Sequence, residues 1–187
     1  MDESLDLEVL IVSSKGNSEL SSHTGSAMDS DQLHPLDPVF HPRSVAIVGV
    51  SSEEGSHGIK GGMFLHALLE QGYNKERPLY AVNPKMTEVR GIPCFPTVLD
   101  CPDPVDHVIS QIPATGVSTL VDQCIEKGVK SIHLFTAGLA ETGDDDLVTM
   151  EQDMVARARA AGLRMIGPNC MGLYVPGVGL AFSPGSP

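Results

Sequence analysis

The sequence predicts a Rossmann-like, doubly wound α/β domain with a five-stranded parallel sheet and helices on both faces. In residues 44–58, a run of β-branched and small apolar residues breaks into a turn of Ser and Gly, and an amphipathic helical pattern follows at once. Strand, small-residue turn and helix form the first unit of such a domain. The same alternation of apolar runs and helical patterns recurs as far as residue 166.

The strands are predicted from short apolar runs rich in Val, Ile and Leu, the composition of parallel strands that are buried on both faces. A small, polar or proline residue closes each run and would end the strand. Five runs meet this description: residues 45–50, 79–82, 105–112, 129–135 and 163–166.

Between the strands lie amphipathic stretches with helical spacing of apolar residues: 59–72, 117–126 and 147–160. A glycine suited to a helix C-terminus stands at or just after the end of each, at Gly72, Gly128 and Gly162. A single helical turn is expected at residues 97–101. Residues 91–96 contain two prolines and are expected to form an irregular connection.

The domain organisation follows from where charge and apolar residues concentrate. Residues 1–41 hold eight acidic residues and a single basic one, Lys15. We therefore expect residues 1–35 to be a disordered acidic tail, although the apolar patch at 9–12 could dock as a short strand. The α/β domain is expected to cover residues 36–175, and residues 176–187 are read as a linker toward a further domain.

Composition and charge exclude some classes of partner. The net charge of −12 argues against nucleic acid, because no basic face is available to neutralise a phosphate backbone. No apolar run approaches the roughly 18 residues needed to cross a bilayer. The four cysteines form no C-x-x-C pair, which favours reduced thiols in a cytoplasmic protein.

Several residues admit both a structural and a chemical reading. Asp144, Asp145 and Asp146 precede the third helix, where they suit a solvated N-terminal cap better than a metal site. Cys170 could be a nucleophile, but no base is identifiable beside it, so a packing role is favoured. His133 is expected to be a buried core residue.

In a doubly wound sheet the ligand lies beyond the carboxyl ends of the strands. From Gly49, near the end of the first strand, the glycines are Gly49, Gly55 and Gly58, a looser spacing than the G-x-G-x-x-G of dinucleotide oxidoreductases. The second strand ends at Lys85 rather than at an acid that would hold a ribose. A cation there suits a ribose phosphate, as in NADP or coenzyme A, or is simply a solvated surface lysine.

Five motifs in this order resemble one known family, the CoA-binding domain of the NDP-forming acyl-CoA synthetases. That family includes ADP-forming acetyl-CoA synthetase and the succinyl-CoA synthetase α subunit. The resemblance runs from about Leu36 to Gly179 and is carried by residues 42–51, 81–85, 91–98, 112–114 and 166–173.

The resemblance implies coenzyme A as the cofactor and a set of contacts at the strand ends. The loop at 51–58 would hold phosphates, Lys85 would pair with a phosphate, and the ends of the third and fourth strands would line the path of adenine and pantetheine. The candidate binding residues are Gly49, Ser51, Ser52, Ser56, Gly58, Asn83, Pro84, Lys85, Ile112, Pro113, Thr136, Ala137 and Gly138. One departure is Ala137, where the succinyl enzyme has a glutamate.

The family's catalytic histidine and its ATP-grasp part lie in further domains, so the resemblance implies a CoA-binding part of a ligase that is not catalytic alone. His57 is the histidine nearest to the expected ligand, and its loop suits holding CoA better than receiving phosphate. Two alternatives stay open: an NADP-binding oxidoreductase domain, and a stand-alone regulatory module that senses CoA or a nucleotide. Neither a catalytic residue nor a metal ligand is assigned within the chain.

Overall fold

The computed structural model describes residues 34–51, 62–183 and residue 185. Within them lies one sheet of seven strands in the order β3-β4-β2-β1-β5-β6-β7. The strands are β1 Val45–Val48, β2 Leu79–Val82, β3 Glu88–Val89, β4 Ile92–Phe95, β5 His107–Ser110, β6 Ser131–Leu134 and β7 Arg164–Ile166. The helices are α1 Asp37–Phe40, α2 Gly62–Glu70, α3 Tyr73–Glu76, α4 Ala114–Lys127 and α5 Asp145–Ala160.

The Rossmann-like α/β class is confirmed, and all five predicted strands are present as β1, β2, β5, β6 and β7. They pair in parallel, with β1 between β2 and β5. Every residue of β1, β2, β5 and β6 is buried, because helices or the C-terminal segment cover both faces. This explains why β1 and β2 consist of apolar residues throughout and lack the alternation of half-exposed strands.

The predicted count of five strands was wrong, since a hairpin replaces the irregular connection expected at 91–96. Arg90 and Gly91, both with positive φ, turn the chain between β3 and β4. β4 then adds to β2 in parallel, and β3 pairs with β4 antiparallel at the sheet edge. Proline is tolerated at Pro93 because β2 pairs only with Cys94 and Phe95 of β4, so the missing N–H lies outside that pairing.

Two apolar layers hold the helices on the sheet. On one face, α4 and α5 pack through residues such as Val121 and Met154. On the other face, α2 packs through Phe64 and Leu68, and Leu180 of the C-terminal segment joins them. Because other elements cover both faces of the sheet, the carboxyl ends of the strands form its exposed rim.

The helix N-termini confirm one predicted cap and correct one predicted helix start. Asp144 accepts hydrogen bonds from the backbone N–H groups of Asp146 and Leu147, at 3.0 and 3.1 Å, which confirms the predicted cap. α4 begins at Ala114, directly after Pro113, rather than at residue 117. The predicted start of the first helix, residue 59, lies outside the described residues.

The chain beyond β7 packs back on the domain. Val175 and Leu180 form an isolated antiparallel bridge, and Leu180 and Ala181 are buried. Gly179 has a positive φ and lies so close to α3 that an added Cβ would be 3.0 Å from the carbonyl oxygen of Gln71. Packing within the domain thus continues past the predicted boundary at residue 175.

None of the helices in the described part of the chain is long and apolar enough to cross a membrane.

Candidate functional site

A cavity of about 350 Å³ opens at the carboxyl ends of β1 and β2, beside the first turns of α4. Its walls combine aliphatic side chains, two prolines, two glycines and four uncharged polar residues. The lining residues are Val48, Gly49, Val82, Asn83, Pro84, Pro96, Thr97, Ile112, Gly116, Thr119, Leu120 and Gln123.

The position of the cavity follows from the sheet topology. The chain leaves β1 for α2 on one face of the sheet and leaves β5 for α4 on the other face. Because these two strands are neighbours, their connections diverge and leave a crevice between them. This is the point at which doubly wound sheets bind their ligands.

Ile112 forms part of the cavity wall, and two glycines make room for it. A Cβ added to Gly49, whose φ is +92°, would lie 2.9 Å from Cγ2 of Ile112. A Cβ added to Gly116 would lie 3.0 Å from Cδ1 of the same side chain. The glycines therefore set the position of an apolar wall and keep the cavity open.

Asn83 locks two of the loops that border the cavity. Its Nδ2 donates to the carbonyl oxygen of Val50 at 2.7 Å, and its Oδ1 accepts from the backbone N–H of Lys85 at 2.8 Å. The amide is thus used to hold the turn Pro84-Lys85 against the end of β1. Lys85 itself is exposed, with its backbone fixed at the rim.

Thr136 performs a similar task between β5 and β6. Its hydroxyl group is buried and donates to the carbonyl oxygen of Ile112 at 2.7 Å. Beyond it, the carboxylate of Glu141 accepts from the backbone N–H groups of Gly138 and Leu139, at 2.7 and 3.0 Å. The hydrogen bond from Gly138 is the main reason why the pKa of Glu141 is lowered.

Gln111 directly follows β5, and its side chain packs against the first residue of α2. Its Oε1 would be 2.6 Å from a Cβ added to Gly62, the first residue of α2, so the amide packs directly on that glycine. Its Nε2 is buried and has no hydrogen-bond partner in the described part of the chain. A buried donor without a partner costs about 1–3 kcal/mol.

The structure brings four of the predicted binding residues to the cavity: Gly49, Asn83, Pro84 and Ile112. Ser51, Lys85, Pro113, Thr136, Ala137 and Gly138 lie at the same rim of strand ends but are not part of the lining. Ser52, Ser56, Gly58 and His57 lie outside the described residues.

Sequence reasoning missed eight residues of the lining: Val48, Val82, Pro96, Thr97, Gly116, Thr119, Leu120 and Gln123. The last four belong to α4, and their place in the wall depends on which face that helix turns toward the sheet. Gln111 and Glu141 were also missed, since neither stands in a recognisable pattern.

Two buried histidines belong to the core rather than to the site. His133 Nε2 lies 2.7 Å from the carbonyl oxygen of Cys170, and His107 Nδ1 lies 2.7 Å from Ser131 Oγ. Burial lowers the pKa of both, that of His107 to about 3. The expected core role of His133 is confirmed, and both rings are neutral at pH 7.

The arrangement suits a ligand that has both an apolar part and an anionic part. Apolar walls surround the cavity, Lys85 stands at its rim, and the buried Nε2 of Gln111 lies at the start of α2. Backbone N–H groups at a helix N-terminus favour an anion.

Comparison with known proteins gives a consistent result. The sequence model of one protein family, the CoA binding domain, matches residues 43–176 of this chain. ADP-forming acetate–CoA ligase I of Archaeoglobus fulgidus is 34% identical over 138 residues, which are 74% of this chain and 19% of the ligase. The α subunit of ADP-forming acetate–CoA ligase I of Pyrococcus furiosus is 35% identical over 146 residues, which are 75% of this chain and 30% of the subunit.

A solved structure supports the same assignment. The apo form of acetyl-coenzyme A synthetase 1 of Ca. Korarchaeum cryptofilum superposes with a TM-score of 0.70 at 35% identity, covering 80% of this chain and 31% of that chain. This chain thus spans less than a third of the length of these relatives. It belongs to the CoA binding domain family, whose cofactor is coenzyme A.

Proposed function

We propose that this chain is the CoA-binding part of an NDP-forming acyl-CoA ligase, an enzyme that joins an acid to CoA at the expense of ATP or GTP. The observation that carries the proposal is the cavity at the carboxyl ends of β1 and β2, the position at which doubly wound sheets bind their ligands. The match of residues 43–176 to the CoA binding domain supports coenzyme A as that ligand. The names of the relatives support the class of reaction.

The adenosine of CoA occupies the cavity in this proposal. Pro84, Pro96 and Ile112 offer apolar surfaces for a flat base, and the volume of about 350 Å³ lies at the lower end of the range for ligand pockets. Such a volume suits one part of CoA, with the remainder lying along the rim.

Lys85 binds the phosphate on the ribose. It directly follows Pro84 of the cavity wall, and Asn83 fixes its backbone. A lysine ammonium is a compact charge on a flexible stem, which suits a phosphate at the edge of a solvent-exposed cavity.

The two linking phosphates lie between Ser51 and the start of α2, where the N–H groups of the helix and the Nε2 of Gln111 would donate to them. The predicted contacts of Ser52, Ser56 and Gly58 belong to this part of the proposal. The pantetheine arm then passes over Ile112-Pro113 and residues 136–138 toward the end of β7.

Bound CoA supplies the thiol that accepts the acyl group. The residues of this chain bind and orient the cofactor, and the activation of the acid falls to ligase and ATP-grasp parts that act with it. Among the described residues, no group of three His, Cys, Asp or Glu side chains is placed to hold a metal ion. We propose a cytoplasmic setting, in which the four free thiols would stay reduced.

Calorimetry with the Lys85→Ala variant tests the proposal. Loss of a charge-assisted hydrogen bond should weaken CoA binding by about 1–3 kcal/mol, which is about 5- to 150-fold. The loss should shrink at high salt because exposed charges are screened. Lys130→Ala is the matched control, since Lys130 is also exposed but precedes β6 at the opposite end of the sheet.

Equal CoA affinity in the parent chain and Lys85→Ala would remove Lys85 from the site. Tighter binding of NADP than of CoA by the parent chain would contradict the proposed cofactor.

A further inference from the structure

The four polar side chains of the cavity differ in whether they already form hydrogen bonds with other residues of the protein. Asn83 holds Val50 and Lys85 through its amide. The hydroxyl of Thr97 donates to the carboxylate of Asp100 at 2.7 Å, as part of a capping box. These two side chains are committed to the structure of the loops.

The other two polar side chains of the wall stand one turn apart on α4. Neither Thr119 nor Gln123 makes a side-chain hydrogen bond within the described ranges 34–51 and 62–183. Gln123 is half-buried in the wall, whereas Thr119 is exposed. Gln123 is thus the amide of the cavity whose donor and acceptor are both unused.

An amide matches one part of CoA better than any other. Adenine presents its amino group, a donor, next to ring nitrogens that accept, and all of them lie in one plane. A glutamine offers an acceptor and a donor with the same spacing, the pairing by which Asn and Gln bind adenine in nucleic acids.

We propose that Gln123 recognises the adenine base of CoA through paired hydrogen bonds to the 6-amino group and the adjacent ring nitrogen. The inference rests on the proposed function, since it takes the base to lie in the cavity. The apolar walls accept any flat base, so Gln123 supplies the discrimination. At the N1 edge, a 6-oxo purine reverses donor and acceptor and is met by a flipped amide, whereas a purine without the 6-amino group forfeits one bond at either edge.

Calorimetry on the full chain tests this with two ligands, CoA and a CoA analogue with unsubstituted purine in place of adenine. The parent chain should bind CoA about 2- to 12-fold more tightly than the analogue, the value of one neutral hydrogen bond. Gln123→Leu keeps the volume of the side chain and should weaken CoA binding by at least about fivefold. In Gln123→Leu and Gln123→Ala, the preference for CoA over the analogue should vanish, because the change in ligand and the change in protein remove the same contact.

Gln152→Ala, an exposed position on α5, is the matched control and should keep both affinities and the preference. Equal affinity of the parent chain for CoA and the analogue would overturn the inference, whether or not the variants fold. A preference that persists in the Gln123 variants would overturn it as well, while CoA binding by the parent would leave the proposed function standing. Failure of the parent chain to bind either ligand would instead defeat the proposed function, and this inference with it.

Discussion

Asn83 shapes the proposed binding site through hydrogen bonds to the backbone of two loops. Its two hydrogen bonds tie the end of β1, at Val50, to the turn that carries Lys85. The distance between the proposed adenine wall and Lys85, the proposed partner of the phosphate, therefore depends on this amide.

We predict that Asn83→Ala lowers the free energy of unfolding by about 1–3 kcal/mol, because two backbone groups lose their partner. It should also weaken CoA binding, since the turn at Lys85 is released. Denaturant titration and calorimetry measure the two effects. Asn74→Ala, at an exposed position of α3, serves as the control. Unchanged CoA affinity would show that the turn is held by other contacts.

Single residues were also where prediction from the sequence reached its limit. Gly49, Asn83, Pro84 and Ile112 could be placed at the site because each lies at or just after the end of a predicted strand. Gln123 could not, since its role depends on the face that α4 turns toward the sheet. Such a face is set by packing and is not visible as a local motif.

The elements that were predicted correctly are those with a single strong signal. β1 and β2 are continuous apolar runs, and β5, β6 and β7 each contain β-branched or other large apolar residues followed by a clear stop. The hairpin of β3 and β4 was missed because two prolines and a glycine suggest irregular structure. Its pairing with β2 is a tertiary effect that uses Cys94 and Phe95 rather than the prolines on either side of them.

At the scale of elements, the close approach of α4 to the end of β5 keeps the cavity open. We predict that Gly116→Leu fills the cavity and weakens CoA binding by at least about tenfold, since the new side chain competes with the base for space. Stability should stay within about 1 kcal/mol, because Leu is a better helix former than Gly and offsets the crowding of Ile112. Calorimetry and thermal melting measure both quantities, with Gly116→Ala as the smaller step in the same direction. Undiminished CoA affinity in Gly116→Leu would place the ligand elsewhere.

For the molecule as a whole, two neutral histidines buried in the core make stability depend on pH. The pKa of His107 and that of His133 are lowered by burial, and in the unfolded chain both return to about 6.5. Below pH 6.5 the unfolded chain therefore binds more protons than the folded one. The stability is fully present above about pH 6.5 and is lost as the pH falls.

We predict that each pH unit below about 6.5 costs up to about 1.4 kcal/mol of unfolding free energy per buried histidine. Denaturant titrations at pH 7.5, 6 and 5 measure the slope. His107→Gln should remove one histidine's share of it. A flat profile between pH 7.5 and 5 would contradict the burial of both rings.

The whole chain spans less than a third of its ligase relatives, and we predict that it makes no acyl-CoA alone. Incubation with ATP or GTP, Mg²⁺, acetate and CoA should give no acetyl-CoA above the blank. The reason is that activation of the acid needs a phosphate carrier and a nucleotide site, which the proposal assigns to further parts of the ligase. Turnover that survives repurification and disappears in His57→Ala would show that the catalytic machinery lies within this chain.

The central claim is that CoA binds at the carboxyl ends of the strands with its adenosine in the cavity beside α4. Titration of the ¹⁵N-labelled chain with CoA, followed by amide NMR shifts, tests this most directly. The account predicts the largest shifts at Gly49, Lys85, Gly116 and Gln123, and none at Lys130 on the opposite end of the sheet. A second cavity, of about 500 Å³, lies beside β7 and is lined by residues that include Arg159 and Arg164. Shifts that cluster around that cavity, or no shifts at saturating CoA, would contradict the account.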